Sequence, residues 1–337
     1  MQSPNILITG GAGFIGSHLV EYLLNKHPTY NIVNLDALTY ASNIERNVNV
    51  ASNPRYKFIY GNICDQNLVE DIFESHEISG VFHLAAETHV DNSINTPRIF
   101  VETNVEGTLN LLEAARRHWQ DDKIKAENPR FIHVSTDEVY GSLGNTGYFT
   151  EDTPYAPNSP YSASKASSDF LVRSYFHTFS LPVIITNCSN NYGPAQHGEK
   201  LIPTIIRNAL EGKEIPIYGN GKNIRDWLYV LDHCTALDKV FQQGRLGESY
   251  NIGTHNEKTN VEIANLVCES LDELKPLAAG CSYKDQISFV ADRLGHDFRY
   301  AIDNSKISNE LKWNAASTFK DDMEATVKWY IKHYEHL

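Results

Sequence analysis

Short apolar runs rich in β-branched residues alternate with helical patterns through the first 190 residues. Asn5–Thr9, Ile32–Leu35, Tyr56–Tyr60, Gly80–Ala86, Arg130–Ser135 and Pro182–Asn187 each have the length and composition of a buried strand. Between them, Ser17–Lys26, Phe100–Arg117 and Tyr161–Phe179 carry apolar and small residues at the 3.6-residue period of a helix face. Continuous apolar strands alternating with helices predict a parallel sheet covered on both sides. The expected fold class is therefore α/β, a doubly wound parallel sheet.

After Ser189 the rhythm changes. Residues 190–200 read as a polar loop, Ile202–Glu211 as a helix and Pro216–Asn223 as a turn-rich stretch. Tyr229–Gly244 and Ser249–Gly253 read as one more helix and strand of the main sheet, and two helices are expected beyond Thr259. This predicts a dinucleotide-type domain of residues 1–189 plus about 224–256. A smaller mixed α/β substrate lobe would hold 190–223 plus about 257–337.

A chain of 337 residues with 41% hydrophobic content has ample core material. Its formal charge of −13 disfavours a protein that coats nucleic acid, though a local cationic pocket for a small anion is compatible with it. No apolar run is long enough for a membrane span, and the first residues lack the features of a signal peptide. The five cysteines are widely spaced, which fits a reducing cytoplasm better than a disulfide framework. His83, His89 and His133 sit at strand ends without metal-ligand spacing, so no metal is expected.

Gly10-Gly11-Ala12-Gly13-Phe14-Ile15-Gly16 follows the first strand directly and opens the first helix. Gly10 permits a tight turn, Gly13 lets backbone approach a pyrophosphate, and Gly16 allows close helix–strand packing. The helix N-terminus then faces the phosphates. Asp36 ends the second strand 20 residues beyond Gly16, where a carboxylate accepts ribose hydroxyls and repels a 2′-phosphate. The pattern predicts a Rossmann domain that binds NAD rather than NADP.

Tyr161 and Lys165 fall at i and i+4 on one helix face. A Tyr-x-x-x-Lys pair is common on helix surfaces. Downstream of a dinucleotide loop, an ammonium and an oxidised nicotinamide would lower the phenol's pKa and make it a base. Thr136-Asp137-Glu138 follows the fifth strand, at the end of the sheet where such folds bind ligands. In isolation this would be a solvated turn. At this address the two carboxylates suit an acid and a base for dehydration.

The glycine pattern with Tyr-x-x-x-Lys resembles the extended short-chain dehydrogenase/reductase family, over essentially the whole chain. The stretches Asp36–Ala41, Ala85–Asp91, Ser135–Gly141, Asn187–Pro194, Glu199–Pro203, Pro216–Gly219, Asn223–Val230 and Asp292–Asp297 resemble its nucleotide-sugar 4,6-dehydratase branch. Thr88 stands where that branch usually has Ser, Asn62 where it has Asp, and Leu294 and Phe298 where it has Pro and Arg.

The resemblance implies NAD-dependent loss of water from dTDP-glucose, giving a 4-keto-6-deoxy sugar for deoxysugar biosynthesis. It implies catalytic roles for Thr136, Asp137, Glu138, Tyr161 and Lys165. Besides the glycines and Asp36, it implies cofactor contacts from Phe14, Ile15, Leu38, Thr39, Asn62, Ile63, Leu84, Ala85, Ala86, Thr88, Thr103 and Asn190, with Tyr161 and Lys165. Substrate contacts would come from Thr88, His89, Thr136, Asn190, Glu199, Lys200, Leu201, Pro216, Tyr218, Asn260, His296 and Tyr300. Arg225 and Arg293 would clamp the diphosphate, as an arginine fork suits phosphate oxygens. A cytoplasmic homodimer is implied as well. The alternatives are a nucleotide-sugar 4-epimerase, which needs no acidic pair, a dehydratase for another nucleoside-diphosphate hexose, and a non-enzymatic NAD-binding scaffold.

Overall fold

The computed structural model describes residues 3–120, 128–292 and 296–334. Its first half runs β1 (Asn5–Thr9), α1 (Phe14–Lys26), β2 (Asn31–Asp36), β3 (Tyr56–Tyr60), α2 (Gln66–His76) and β4 (Gly80–His83). Two short helices, α3 (Val90–Asn95) and α4 (Pro97–Phe100), precede α5 (Gly107–Gln120), β5 (Arg130–Thr136), α6 (Pro160–Phe179) and β6 (Val183–Cys188). The second half runs β7 (Asn190–Tyr192), α7 (Leu201–Leu210), β8 (Ile215–Tyr218), β9 (Ile224–Tyr229), α8 (Val230–Gln243) and β10 (Ser249–Ile252). It ends with β11 (Glu257–Thr259), α9 (Asn260–Leu274), β12 (Ile287–Val290), α10 (Ser305–Leu311) and α11 (Phe319–Tyr334).

Seven strands form one parallel sheet in the order β10-β6-β5-β4-β1-β2-β3. Its strands are apolar on both sides because helices cover both. Ile6, Ile8, Phe82 and Ile132 pack toward α1 and α8, whereas Leu7, Val33, Val81 and Phe131 pack toward α2, α5 and α6. Strand order reverses between β1 and β4, which opens a crevice at the carboxyl ends of the strands. The doubly wound expectation is met, with α8 and β10 serving the main sheet.

A separate apolar cluster joins α7, α9 and α11 through Ile205, Val267 and Val327. β11, β9 and β7 make a three-stranded sheet, and β12 pairs with β8. β9 thus bonds within the small sheet, although the expected boundary at 224 groups it with the dinucleotide domain.

Several local expectations are corrected. The stretch expected to turn at 216–223 begins with β8, whose partner β12 lies far along the chain. Among the described residues three helices, not two, follow residue 259, since the seven-residue α10 is too short for a clear periodic signal. The helix expected at 100–117 is broken by a π-turn over Val101–Glu106. In this turn the Asn104 amide accepts from Glu87 N (2.8 Å) and donates to Glu87 O (3.0 Å) and Ser164 Oγ (2.9 Å). One buried side chain therefore ties the loop after β4 to α6. Among the described residues, no helix is long and apolar enough to cross a membrane.

Candidate active site

A cavity of about 600 Å³ opens over the carboxyl ends of β1, β2, β4, β5 and β6. Its floor is the loop between β1 and α1. Gly10 takes φ +74°, and a Cβ there would lie 2.8 Å from Ala85 N in the loop after β4. A Cβ on Gly16 would lie 2.1 Å from Gly10 O, so only glycine lets the first turn of α1 rest on the loop. Phe14 and Ile15 line the cavity beside Gly13, and no acidic residue occupies the helix's first turn.

Asp36 ends β2 and is buried. Its two oxygens accept from Ala12 N (2.9 Å) and Leu38 N (2.8 Å), which fixes the carboxylate and leaves further lone pairs toward the cavity. Glycine backbone under a helix N-terminus and a fixed carboxylate beyond it suit the pyrophosphate and ribose of a dinucleotide. Thr39, Asn62, Ile63, Leu84, Ala85, Ala86, Thr88 and Thr103 also line this half of the cavity. Leu38 supplies the backbone bond to Asp36 without lining the cavity.

The other half is built where β5 ends. Thr136 caps the following turn, its hydroxyl accepting from Glu138 N (3.3 Å) and donating to Asp137 Oδ1 (3.4 Å). Asp137 is 2% exposed, and its Oδ2 has no hydrogen-bond partner among the described residues. Burial, with the Glu138 charge next, pushes its carboxyl well above the usual range, against the opposing pull of Arg225. Glu138 is half-buried on the cavity wall. The adjacent carboxyls thus sit in different surroundings, as an acid and a base require.

Tyr161 and Lys165 reach the same wall from α6, whose start is fixed by a Ser159–Ser162 capping box and Pro160. Lys165 Nζ donates to Val134 O (2.9 Å). Burial, then Glu138, raises the Tyr161 phenol well above its ordinary range, and burial lowers Lys165. This reverses the direction expected from the lysine alone. The protein's own groups keep Tyr161 protonated, and a cation bound in the cavity would act against them.

Asn190, Glu199 and Lys200 line the cavity mouth. Glu199 Oε2 lies 3.5 Å from both His89 Nε2 and His197 Nδ1. His89 also caps α3, through Nδ1 accepting from Asn92 N. His89 and, among the other described substrate candidates, Leu201, Pro216, Tyr218, Arg225, Asn260, His296 and Tyr300 do not line this cavity. Arg225 is buried, donates to the carbonyls of Asp297 (2.9 Å) and Ile224 (2.7 Å), and lies 4.3 Å over the Tyr300 ring. Tyr300 in turn donates to Asp297. Tyr218 on β8 meets His296 edge-on at 6.5 Å. Pro216 lies beside it on β8, Leu201 begins α7, and Asn260 begins α9. Arg293 lies outside the described residues.

The cavity also exposes residues that the sequence reading passed over, among them Glu87, Asn191, Gln196 and His197. Glu87 is buried, and burial pushes its carboxyl up. Its position inside the Ala85–Asp91 stretch was the available signal. Asn191 lies likewise in the Asn187–Pro194 stretch, and on β7 where a polar loop is expected, whereas Gln196 and His197 lie in what reads as an ordinary polar loop.

A Rossmann sheet, a Tyr–Lys pair and a second lobe beside the crevice define an extended short-chain dehydrogenase/reductase. A family model described as GDP-mannose 4,6 dehydratase matches residues 7–326. The chain belongs to this family of nucleotide-sugar 4,6-dehydratases. It is 53% identical over 336 residues to dTDP-glucose 4,6-dehydratase of Salmonella typhimurium, covering 97% of this chain and 92% of the relative. Crystal structures described as dTDP-glucose 4,6-dehydratases are similar throughout. One from Bacillus anthracis in complex with NAD is 47% identical with a TM-score of 0.87, covering 98% of each chain. One from Streptomyces venezuelae with NAD and TYD bound is 43% identical with a TM-score of 0.89, covering 98% of each chain.

Proposed function

We propose that this protein is an NAD-dependent hydro-lyase that converts dTDP-glucose to dTDP-4-keto-6-deoxyglucose. The observation that carries the proposal is the buried Asp137, its carboxyl raised by burial, beside the half-buried Glu138 on one cavity wall with Tyr161 and Lys165. A 4-epimerase uses no such pair.

NAD, when bound, supplies the hydride acceptor for C4 and afterwards the hydride donor for C6. Gly10, Gly13, Gly16 and Asp36 hold it. Tyr161 takes the C4 hydroxyl proton, with Lys165 stabilising the phenolate and Thr136 hydrogen-bonding the C4 oxygen. Once C4 is a ketone, the C5 proton is acidic, and Glu138 removes it. Asp137 gives its proton to the C6 hydroxyl as water leaves. C5 is reprotonated when the sugar is reduced at C6, so no net cofactor is consumed.

Glu199, Lys200 and Asn190 at the mouth hold the sugar and its phosphates, and Arg225 and Arg293 serve the diphosphate. The division into a dinucleotide domain and a nucleotide-sugar lobe belongs to the same reading. So does a homodimer, and so does a cytoplasmic location, which five free cysteines support. The test is a panel of dTDP-, UDP-, CDP- and GDP-glucose. The expected result is a 4-keto product, read by its absorbance in alkali, from dTDP-glucose and without net NADH. A C4 epimer, or stoichiometric NADH, would overturn the reading.

A further inference from the structure

Beneath the Tyr161–Lys165 pair lies a buried polar layer that the mechanism above leaves unused. Asp169 follows Lys165 by four residues on α6, as Lys165 follows Tyr161, so all three share one helix face. Asp169 is 1% exposed. Its Oδ2 accepts from Ser135 Oγ (2.7 Å) and Tyr155 OH (2.9 Å), and its Oδ1 lies 3.0 Å from His133 Nε2.

Lys165 is buried, and its ammonium donates to Val134 O at 2.9 Å. A buried ammonium is costly unless a carboxylate compensates it. Most of the neighbouring groups cannot serve. Burial holds the His83 and His133 imidazoles far below their usual range, so both are neutral. His83 spends its two ring nitrogens on the Thr9 and Thr108 hydroxyls, at 2.8 and 2.9 Å. Burial pushes the Cys188 thiol up to about 12, and Asp137 is held protonated.

Asp169 is the group whose charge supports Lys165. Burial raises its carboxyl to about 6, while Lys165 and bonds from Ser135, Tyr155 and Asn187 oppose the rise. It is therefore ionised at neutral pH.

We infer that Asp169 is a positioning residue, the buried counter-ion one helical turn from Lys165 that keeps it charged beneath the reacting tyrosine. It acts through Lys165 and does not touch the sugar. The inference rests on the role of Lys165 proposed above. The groups facing Asp169 are Lys165 on its own helix, His133 from β5, Tyr140 from the turn after β5, Tyr155 from the following loop and Asn187 from β6. Cys188 from β6 and His83 from β4 face Lys165.

The experiment measures the pH profile of single-turnover C4 oxidation, with NAD content as a check on folding. Loss of a neighbouring opposite charge shifts a pKa by roughly one to three units. Asp169→Asn should therefore move the alkaline limb down by that much, because Lys165 loses its proton earlier. Tyr155→Phe keeps the charge but removes one donor to it. It should move the acid limb upward from about 6, where Asp169 takes a proton. An Asp169→Asn profile that coincides with wild type overturns the inference. If that variant does not fold, an unmoved acid limb in Tyr155→Phe overturns it instead. Tyr161→Phe runs in parallel. Retained oxidation there defeats the parent mechanism, whereas lost oxidation with an unmoved Asp169→Asn profile defeats this inference alone.

Discussion

Asp137→Asn isolates the proton-donating step, because an amide matches the carboxyl in size but has no acidic proton. The wild-type side chain is 2% exposed, its Oδ2 is unpartnered among the described residues, and burial with the Glu138 charge raises its carboxyl well above the usual range. General acids contribute about 10²–10⁴ in rate, which corresponds to roughly 2.7–5.4 kcal/mol of barrier. Water elimination should slow by that factor. C4 oxidation, which depends on Tyr161 and Thr136, should change far less. In a single turnover with dTDP-glucose, the variant should accumulate reduced nicotinamide, because the ketone forms faster than water leaves. Stability supplies a second readout. The folded carboxyl holds its proton above the ordinary carboxyl range, where the unfolded chain has released it. Its contribution therefore weakens the fold as pH rises through that window. Asp137→Asn lacks this contribution, so its Tm should decline less than that of wild type as pH rises above the ordinary carboxyl range. Dehydration at the wild-type rate without accumulated reduced nicotinamide would refute the reasoning and return the acidic pair to a structural turn.

Glu138→Gln should slow solvent exchange of the C5 proton by about 10²–10⁴, as removal of a general base requires, and mass spectrometry of product formed in deuterated water measures it. Asp36→Ala should weaken NAD binding by roughly 1.5–3 kcal/mol, the worth of a hydrogen bond to a charged group. It should also narrow the preference for NAD over NADP, and calorimetric titration of both nucleotides checks this. Gly16→Ala should cost NAD content and Tm together, because its Cβ would lie 2.1 Å from Gly10 O, and backbone there can yield only by moving the loop. Normal NAD content in that variant would show that the loop tolerates a wider approach.

The parts of the site that could be read in advance are local ones. Gly10, Gly13 and Gly16 announce a strand–loop–helix turn because their spacing is dictated by that turn, and Asp36 follows at the end of the next strand. Tyr161 and Lys165 share a face through helix periodicity alone. Asp137 and Glu138 are found because a strand end precedes them. The π-turn at Val101–Glu106 is different. It is stabilised by Asn104 reaching Glu87 and Ser164, contacts between segments that no short window contains. β8 was missed for the same reason, since its hydrogen bonds go to β12.

Sequence by itself determined the doubly wound sheet, the dinucleotide loop and the short stretches that bring Thr136, Asp137, Glu138, Tyr161 and Lys165 to one cavity, all of which follow from periodicity and short spacings. Tertiary structure alone decided their charge states. Burial against α6 and β6 makes Asp137 an acid, sets Tyr161 above its usual range against the expectation from Lys165, and leaves Asp169 ionised beneath them. The physical reason is that a pKa depends on the water excluded and the charges gathered around a group. Those come from segments remote in the chain and exist only once the chain has folded.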